Sequence, residues 1–152
     1  MEFDPVAGAV TVSGDGLPHV ELRRTGGEAD AHTPVGTRAA DRLALTVDGE
    51  PATLALAKGR LTRRSYRVDV RCGDARYRLV PDSLAGSRLL RDGRRLGTLM
   101  CDGDGRVDAE WRENAKVLAL DVSVGYALAA GFGTGAQPMW MTATEIVADL
   151  LN

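Results

Sequence analysis

The stretch from residue 117 to residue 132, VLALDVSVGYALAAGF, decides the fold of this chain. It carries one charged residue, Asp121, and its density of Ala, Leu and Gly is typical of a helix. Asn114 before it, and Gly131 with the glycines that follow, supply the signals for caps at both ends. Its apolar residues go round the whole helix, and such a helix must be buried on every side. The pattern therefore predicts a helix near 117–132 that the rest of the chain encloses.

Alternating apolar and polar segments precede this helix and predict a series of β-hairpins. Their turns lie at residues 14–16, 48–51, 73–74, 92–93 and 102–105. A four-residue loop at 48–51 would pair Leu45 with Leu54. A two-residue turn at 92–93 would pair Leu89 with Leu96, whereas a three-residue loop would shift that register, and both remain open.

The hairpin that turns at Gly73 and Asp74 has the clearest pattern in the chain. A two-residue turn there sets Val70 opposite Tyr77 on the inward face. The outer face then carries two cross-strand pairs, Arg71 with Arg76 and Asp69 with Arg78. One face of this hairpin is predicted to pack, and the other to meet solvent.

The order of these segments indicates the architecture. Strands run from about residue 8 to residue 112, interrupted by a polar, Gly-rich surface loop at 25–38, and helices come last. This order excludes a parallel βαβ sheet and favours an antiparallel one, whose edges disappear if it closes into a barrel. In the tail, Thr142 and Glu145 form a capping box that predicts a short C-terminal amphipathic helix.

The predicted fold is therefore mainly β with C-terminal helices (α+β). A single domain, 1–152, would form an antiparallel β-barrel of successive hairpins that encloses the hydrophobic helix near 117–132.

Composition places the chain among soluble globular proteins, with 44% apolar and 26% charged residues. No signal peptide is visible, and glycines and Pro138 leave the uncharged stretch at 122–141 too short to span a bilayer. Cys72 and Cys101 are too few for a disulfide scaffold and fit buried, reduced thiols. We therefore expect a cytoplasmic protein without a transmembrane segment.

Three segments and the helix that follows them resemble the tubby-like superfamily, which includes tubby C-terminal domains, phospholipid scramblases and LURP-one-related proteins. The segments are LTRRSYRVDV at 61–70, YRLVPDSL at 77–84 and LLRDGRRLGTL at 89–99. The resemblance, which covers roughly residues 60–132, implies a closed antiparallel barrel with a hydrophobic helix through its middle. Tubby proteins bind phosphoinositide head groups through basic residues, but no motif here carries those residues over by position. The chain is short for the family and lacks a cysteine-rich palmitoylated segment and a calcium loop.

Motifs that would indicate catalysis or a cofactor have simpler explanations in this sequence. GFGTGA at 131–136 fits a dinucleotide fingerprint, but no strand precedes it and no βαβ unit surrounds it, so helix-ending glycines explain it better. Asp102 and Asp104 lack the glycine and flanking helices of an EF-hand. His19 and His32 have no Glu or Cys at ligand spacing. We therefore expect no catalytic residues, metal or cofactor.

The distribution of charge is the feature that points to a partner. The net charge of −2 combines −4 over residues 1–59, +7 over residues 60–95 and −5 over residues 96–152. The candidate anion-binding residues in the basic middle are Arg63, Arg64, Arg67, Arg71, Arg76, Arg78, Arg88, Arg94 and Arg95. They could bind the head groups of an anionic lipid surface or a protein partner.

Two interpretations of these arginines stay open. Nucleic acid is the weaker ligand because Tyr66 and Tyr77 are the nearby aromatics and both are predicted to face inward. A solvated face neutralised by Asp69, Asp82 and Asp92 would explain the same residues without any ligand. The sequence favours a non-enzymatic binding or scaffold module, with a small-molecule-binding barrel or an enzyme as the alternative, and says nothing about oligomeric state.

Overall fold

The computed structural model describes residues 1–57, 66–82, 86–101 and 104–133. Ten strands and one α-helix lie in these ranges, with a short 3-10 helix at Ala40–Arg42. The strands are β1 (Glu2–Asp4), β2 (Ala9–Gly14), β3 (Leu17–Arg24), β4 (Leu43–Val47), β5 (Glu50–Leu56), β6 (Val68–Cys72), β7 (Ala75–Pro81), β8 (Gly86–Arg91), β9 (Arg94–Met100) and β10 (Asp108–Trp111). The helix, α1, spans Ala119–Phe132. The predicted helix at 139–152 lies outside the described residues.

The strands form one antiparallel sheet in which each pairs with its neighbours along the chain, in the order β1 to β10. This confirms the antiparallel sheet and the late helix. Within the described ranges β1 and β10 do not pair with each other, so the sheet is open. The two edges nevertheless approach, because a Cβ on Gly105, just before β10, would lie 2.7 Å from the Cβ of Phe3 in β1.

Helix α1 lies on the inner face of this sheet and packs most extensively against β3 and β2. Val124, Ala127 and Leu128 are fully buried, as the apolar pattern predicts. The prediction of burial on every side is wrong for the first half of the apolar stretch, where Leu118 is 54% exposed and Leu120 and Val122 are partly buried. Gly125 and Gly131 lie inside the helix and allow neighbouring side chains to approach its backbone closely. The core therefore runs along the helix.

The ends of α1 correct part of the capping prediction. Gly133 ends the helix with φ +69, and its N–H donates to the Ala129 carbonyl, as glycine at this position predicts. Asn114 is not the N-cap, which is Leu118. Leucine has no side-chain acceptor for the N–H groups of the first turn, but the carboxylate of Asp121, at N3, accepts the Leu118 N–H at 2.7 Å, as the N3 residue of a capping box does.

Two hairpins show where local pattern failed to fix the register. Leu45 pairs with Ala52, and not with Leu54 as predicted, because Asp48 and Gly49 both have positive φ and form a two-residue turn. Leu89 lies opposite Gly97, and not Leu96, because a β-bulge interrupts the pairing next to Leu90. The shift at Leu45 is by two residues and keeps the same residues facing the core. The bulge shifts β9 by one residue, so Leu96 and Leu99 are both buried, whereas regular alternation from Leu96 would turn Leu99 outward.

The segment at 25–38 differs from the predicted surface loop. Val35 is fully buried, and its N–H donates to the Gly131 carbonyl of α1 at 2.8 Å. The guanidinium of Arg38 lies over the rings of Tyr66 and Phe132, at 5.1 and 5.8 Å from their centroids. This loop therefore covers the C-terminal end of the helix.

Candidate functional site

The outer face of β6 and β7 has the arrangement that the alternation predicts. Asp69 pairs with Arg78 and Arg71 pairs with Arg76 across the two strands. The residue between the two arginines of β7, Tyr77, points inward and is 2% exposed. The predicted register of this hairpin is confirmed.

Two carboxylates hold three of the predicted arginines. Asp69 accepts two hydrogen bonds from Arg78, at 2.6 and 3.3 Å, and its second oxygen lies 3.7 Å from Nε of Arg67. These contacts raise the pKa of the Arg78 guanidinium, chiefly through the hydrogen bond and then through the charge of Asp69. Nε of Arg88 lies 3.3 Å from a carboxylate oxygen of Asp82, which makes a second ion pair.

Arg71 and Arg76 differ from these three arginines. Both are exposed, they face each other directly, and no carboxylate lies within ion-pair distance of either in the part of the chain that the structure describes. They line a surface depression of about 870 Å³, together with a third arginine and the side chains of Asp69, Asp74 and Asp92. The formal charges of this lining cancel, so the pair, and not the net charge, distinguishes the site.

A second depression, of about 370 Å³, adjoins the first on the same face. Arg67, Arg78 and Arg88 surround it, and Val80 and Leu90 supply apolar surface between their side chains. The outer face of β6–β8 thus combines ion-paired arginines, apolar surface and one pair of arginines without counter-ions.

The remaining predicted arginines are placed differently. Arg95 lies opposite Leu90 and donates to the Thr98 hydroxyl at 2.9 Å. Arg94 lies opposite Arg91 at the turn end of the β8–β9 hairpin. Its position belongs to the inner face of the sheet, but at this end of the hairpin its side chain is exposed. Arg63 and Arg64 lie outside the described residues. The structure therefore brings together Arg67, Arg71, Arg76, Arg78 and Arg88, with Arg95 one strand further along.

An interior polar cluster escaped the sequence-based prediction. The Asp121 carboxylate, fully buried on α1, accepts a hydrogen bond of 2.6 Å from the Tyr77 hydroxyl and an ion-paired hydrogen bond from Arg91. Arg91 also donates to the Lys116 carbonyl at 3.3 Å. Burial, then the hydrogen bond to Asp121, raises the pKa of Tyr77, so the hydroxyl stays protonated and donates. The hydrogen bond to Asp121 likewise raises the pKa of Arg91.

One sequence signal could have indicated this cluster. Asp121 is the single charge of an otherwise apolar helix, and a buried charge requires a partner. Tyr77 and Arg91 lie opposite each other on neighbouring strands, with both side chains directed inward. The partners could not be chosen from the sequence because Tyr77 lies 44 positions, and Arg91 30 positions, before Asp121.

No group of three or more His, Cys, Asp or Glu side chains is arranged to hold a metal ion within the described ranges. Across the same residues, no helix has both the length and the apolar character needed to cross a bilayer. Comparison of the chain with protein-family models, with curated proteins and with solved structures finds no match.

Proposed function

We propose that this protein is a non-enzymatic binding module that contacts anionic lipid head groups through the outer face of β6–β8. The observation that carries the proposal is the pair Arg71 and Arg76, exposed and opposed, with no counter-ion among the described residues. Like charges placed directly opposite each other destabilise a sheet. A phosphate between the two guanidinium groups would remove that repulsion and accept charge-assisted hydrogen bonds from both.

The neighbouring side chains support this role for the pair. Asp69 fixes Arg78 and Asp82 attracts Arg88, so these arginines form an ordered rim whose charge is already balanced. A basic residue close to an anionic membrane contributes about 1 kcal/mol. The proposed contact is therefore weak and reversible, and it depends on salt.

At the level of the fold, we propose the barrel that the resemblance to tubby-like proteins implies. The approach of Gly105 to Phe3 supports a sheet curved nearly into a ring around α1. The interior favours surface binding over the small-molecule alternative, because Val124 and Leu128 of the helix are fully buried against the sheet. In this proposal the protein acts peripherally from the cytoplasm.

Vesicle flotation tests the proposal with the wild type and Arg71→Glu/Arg76→Glu. The wild type is expected to float with vesicles that contain a phosphoinositide or phosphatidylserine, and not with neutral vesicles. Reversing both charges is expected to weaken binding by roughly 30-fold or more, because about 1 kcal/mol is lost for each arginine even before repulsion. Arg78 is left unchanged, because its reversal would also break the pair with Asp69.

The matched control is Arg23→Glu/Arg106→Glu, which makes the same change in net charge at two exposed arginines outside this face. This control should retain most of the wild-type binding. The proposal fails if the wild type does not float with anionic vesicles, or if the two double variants lose binding equally.

A further inference from the structure

Helix α1 connects two parts of the sheet that are far apart in strand order. It packs against β2 and β3 on one side and contacts β7, β8 and β9 on the other. The edges of the sheet, β1 and β10, make no pairing with each other among the described residues. The helix therefore provides the main connection across the open side of the sheet.

Close packing anchors the C-terminal half of α1 to the first part of the sheet. A Cβ on Gly131 would overlap the side chain of Leu22 in β3, so the helix backbone and this strand are in direct contact. Val35 adds a hydrogen bond to the Gly131 carbonyl. Every residue from 127 to 132 is buried.

The N-terminal half is held differently. Leu118 is 54% exposed and Ala119 is exposed, so apolar contact secures the first turn poorly. Gly125 contacts Leu89 and Leu99, where an added Cβ would lie 2.7 and 3.0 Å from their side chains. Before that point Asp121, Ser123 and Val124 are buried, and Asp121 is the one that hydrogen-bonds to the sheet.

Asp121 receives hydrogen-bond donors from three separate elements. Tyr77 belongs to β7, Arg91 to β8, and the Leu118 N–H to the start of α1 itself. Removing one partner of a buried ion pair leaves the other as an uncompensated buried charge. The contacts to Tyr77 and Arg91 should therefore break together as the carboxylate leaves the sheet for water, whereas the Leu118 N–H, in the same helix, can stay bonded to it.

We propose that Tyr77, Asp121 and Arg91 form a polar clasp that holds the β7–β9 part of the open sheet onto α1. When the clasp breaks, β7–β9 separates from the N-terminal half of the helix, while the C-terminal half stays packed on β2 and β3. The side chain of Arg91 is 22% exposed, so water reaches the clasp from this side first. The clasp is thus a conformational device that governs a local opening of the fold.

The thiol of Cys101 reports this opening. It directly follows β9, at the end away from the Arg91–Arg94 pair, is 3% exposed and belongs to the core. It therefore reacts when β9 separates from the helix along its whole length. Replacing Cys72 by serine leaves Cys101 as the single thiol of the chain. Its labelling rate by a disulfide reagent then measures how often the core opens near β9.

In this background, Tyr77→Phe and Asp121→Asn are expected to speed Cys101 labelling roughly tenfold or more, since a hydrogen bond to a buried charge is lost. The faster labelling should depend little on urea at low concentrations, as expected for a local opening that exposes little surface. Amide hydrogens of β2 and β3 should remain as protected as in the parent.

Leu128→Ala is the matched control, because it removes a fully buried contact in the half of the helix that stays packed. In this variant, Cys101 labelling should increase only through global unfolding. The labelling rate should then depend strongly on urea, and the amide hydrogens of β2 and β3 should lose protection to the same extent as the rest of the core. Tyr77→Phe keeps the ring and the ion pair, so it provides the test even where Asp121→Asn does not fold. The proposal is overturned if both clasp variants label at the parent rate, or if they follow the pattern of the control.

Discussion

Gly97 in β9 offers a sharp test of the packing between the last two strands. It lies opposite Trp111 at the edge of the β-bulge. A Cβ added there would overlap the backbone carbonyl of Glu110 and lie 3.0 Å from Cα of Trp111. Backbone atoms cannot rotate away as side chains can, so Gly97→Ala must push β10 away from β9 by on the order of 1 Å to restore normal contact distances.

The magnitude follows from two opposing effects. Overpacking of this kind costs about 1–3 kcal/mol. Alanine regains about 0.5–1 kcal/mol over glycine inside a strand. The free energy of unfolding should therefore fall by up to about 2.5 kcal/mol, and by about 1 kcal/mol at the middle of both ranges. Each kcal/mol lowers the melting temperature by about 2–4 °C in a protein of this size.

Urea denaturation and tryptophan fluorescence measure this effect. In a Trp140→Phe background, Trp111 is the single tryptophan, and its emission should shift to longer wavelength as β10 moves. The control is Gly26→Ala, because an added Cβ meets no atom within 4 Å and the backbone does not have a positive φ there. It should be neutral or slightly stabilising. A Gly97→Ala variant that is more stable than the parent, or whose Trp111 emission is unshifted, would refute the close packing of β10 on β9.

Two further predictions concern the outer face and the thiols. Asp69→Asn should leave the free energy of unfolding within about 1 kcal/mol of the parent, because the pair with Arg78 is exposed. The same variant should float with anionic vesicles up to about fivefold more strongly, because one negative charge is lost. Weaker flotation would contradict the proposed contact face. Burial raises the pKa of Cys72, so iodoacetamide at pH 8 should alkylate this thiol more slowly than free cysteine. Mass spectrometry of the labelled peptide measures the rate, and equal rates would contradict the half-buried environment of Cys72.

The sequence-based predictions succeeded where residues close together in the chain decide the structure. Alternation and the turn at residues 73–74 predicted the β6–β7 register correctly, because both signals are local. At residues 48–51 the expectation that Pro51 belongs to the loop gave the wrong partners. In the structure Pro51 pairs with Thr46 inside the strand, because Asp48 and Gly49 already complete the turn.

The candidate surface was predictable only in part. The alternating pattern placed Arg71, Arg76 and Arg78 on one outer face, and the structure places them there. The same pattern placed Asp69 opposite Arg78, and the structure confirms this pair. Distances in space decide that Arg67 shares Asp69 and that Arg88 lies beside Asp82.

By itself, the sequence determined the hairpins, the inward and outward faces of their strands, and a helix that must be buried, since side-chain periodicity is a local property of the backbone. Tertiary structure decided the bulge beside Leu90, the inward turn of the loop at Val35 and the partners of Asp121. These depend on which distant segments meet when the sheet curves around the helix. A buried carboxylate is stable only with donors at hydrogen-bond distance, and only the folded chain brings Tyr77 and Arg91 to that distance.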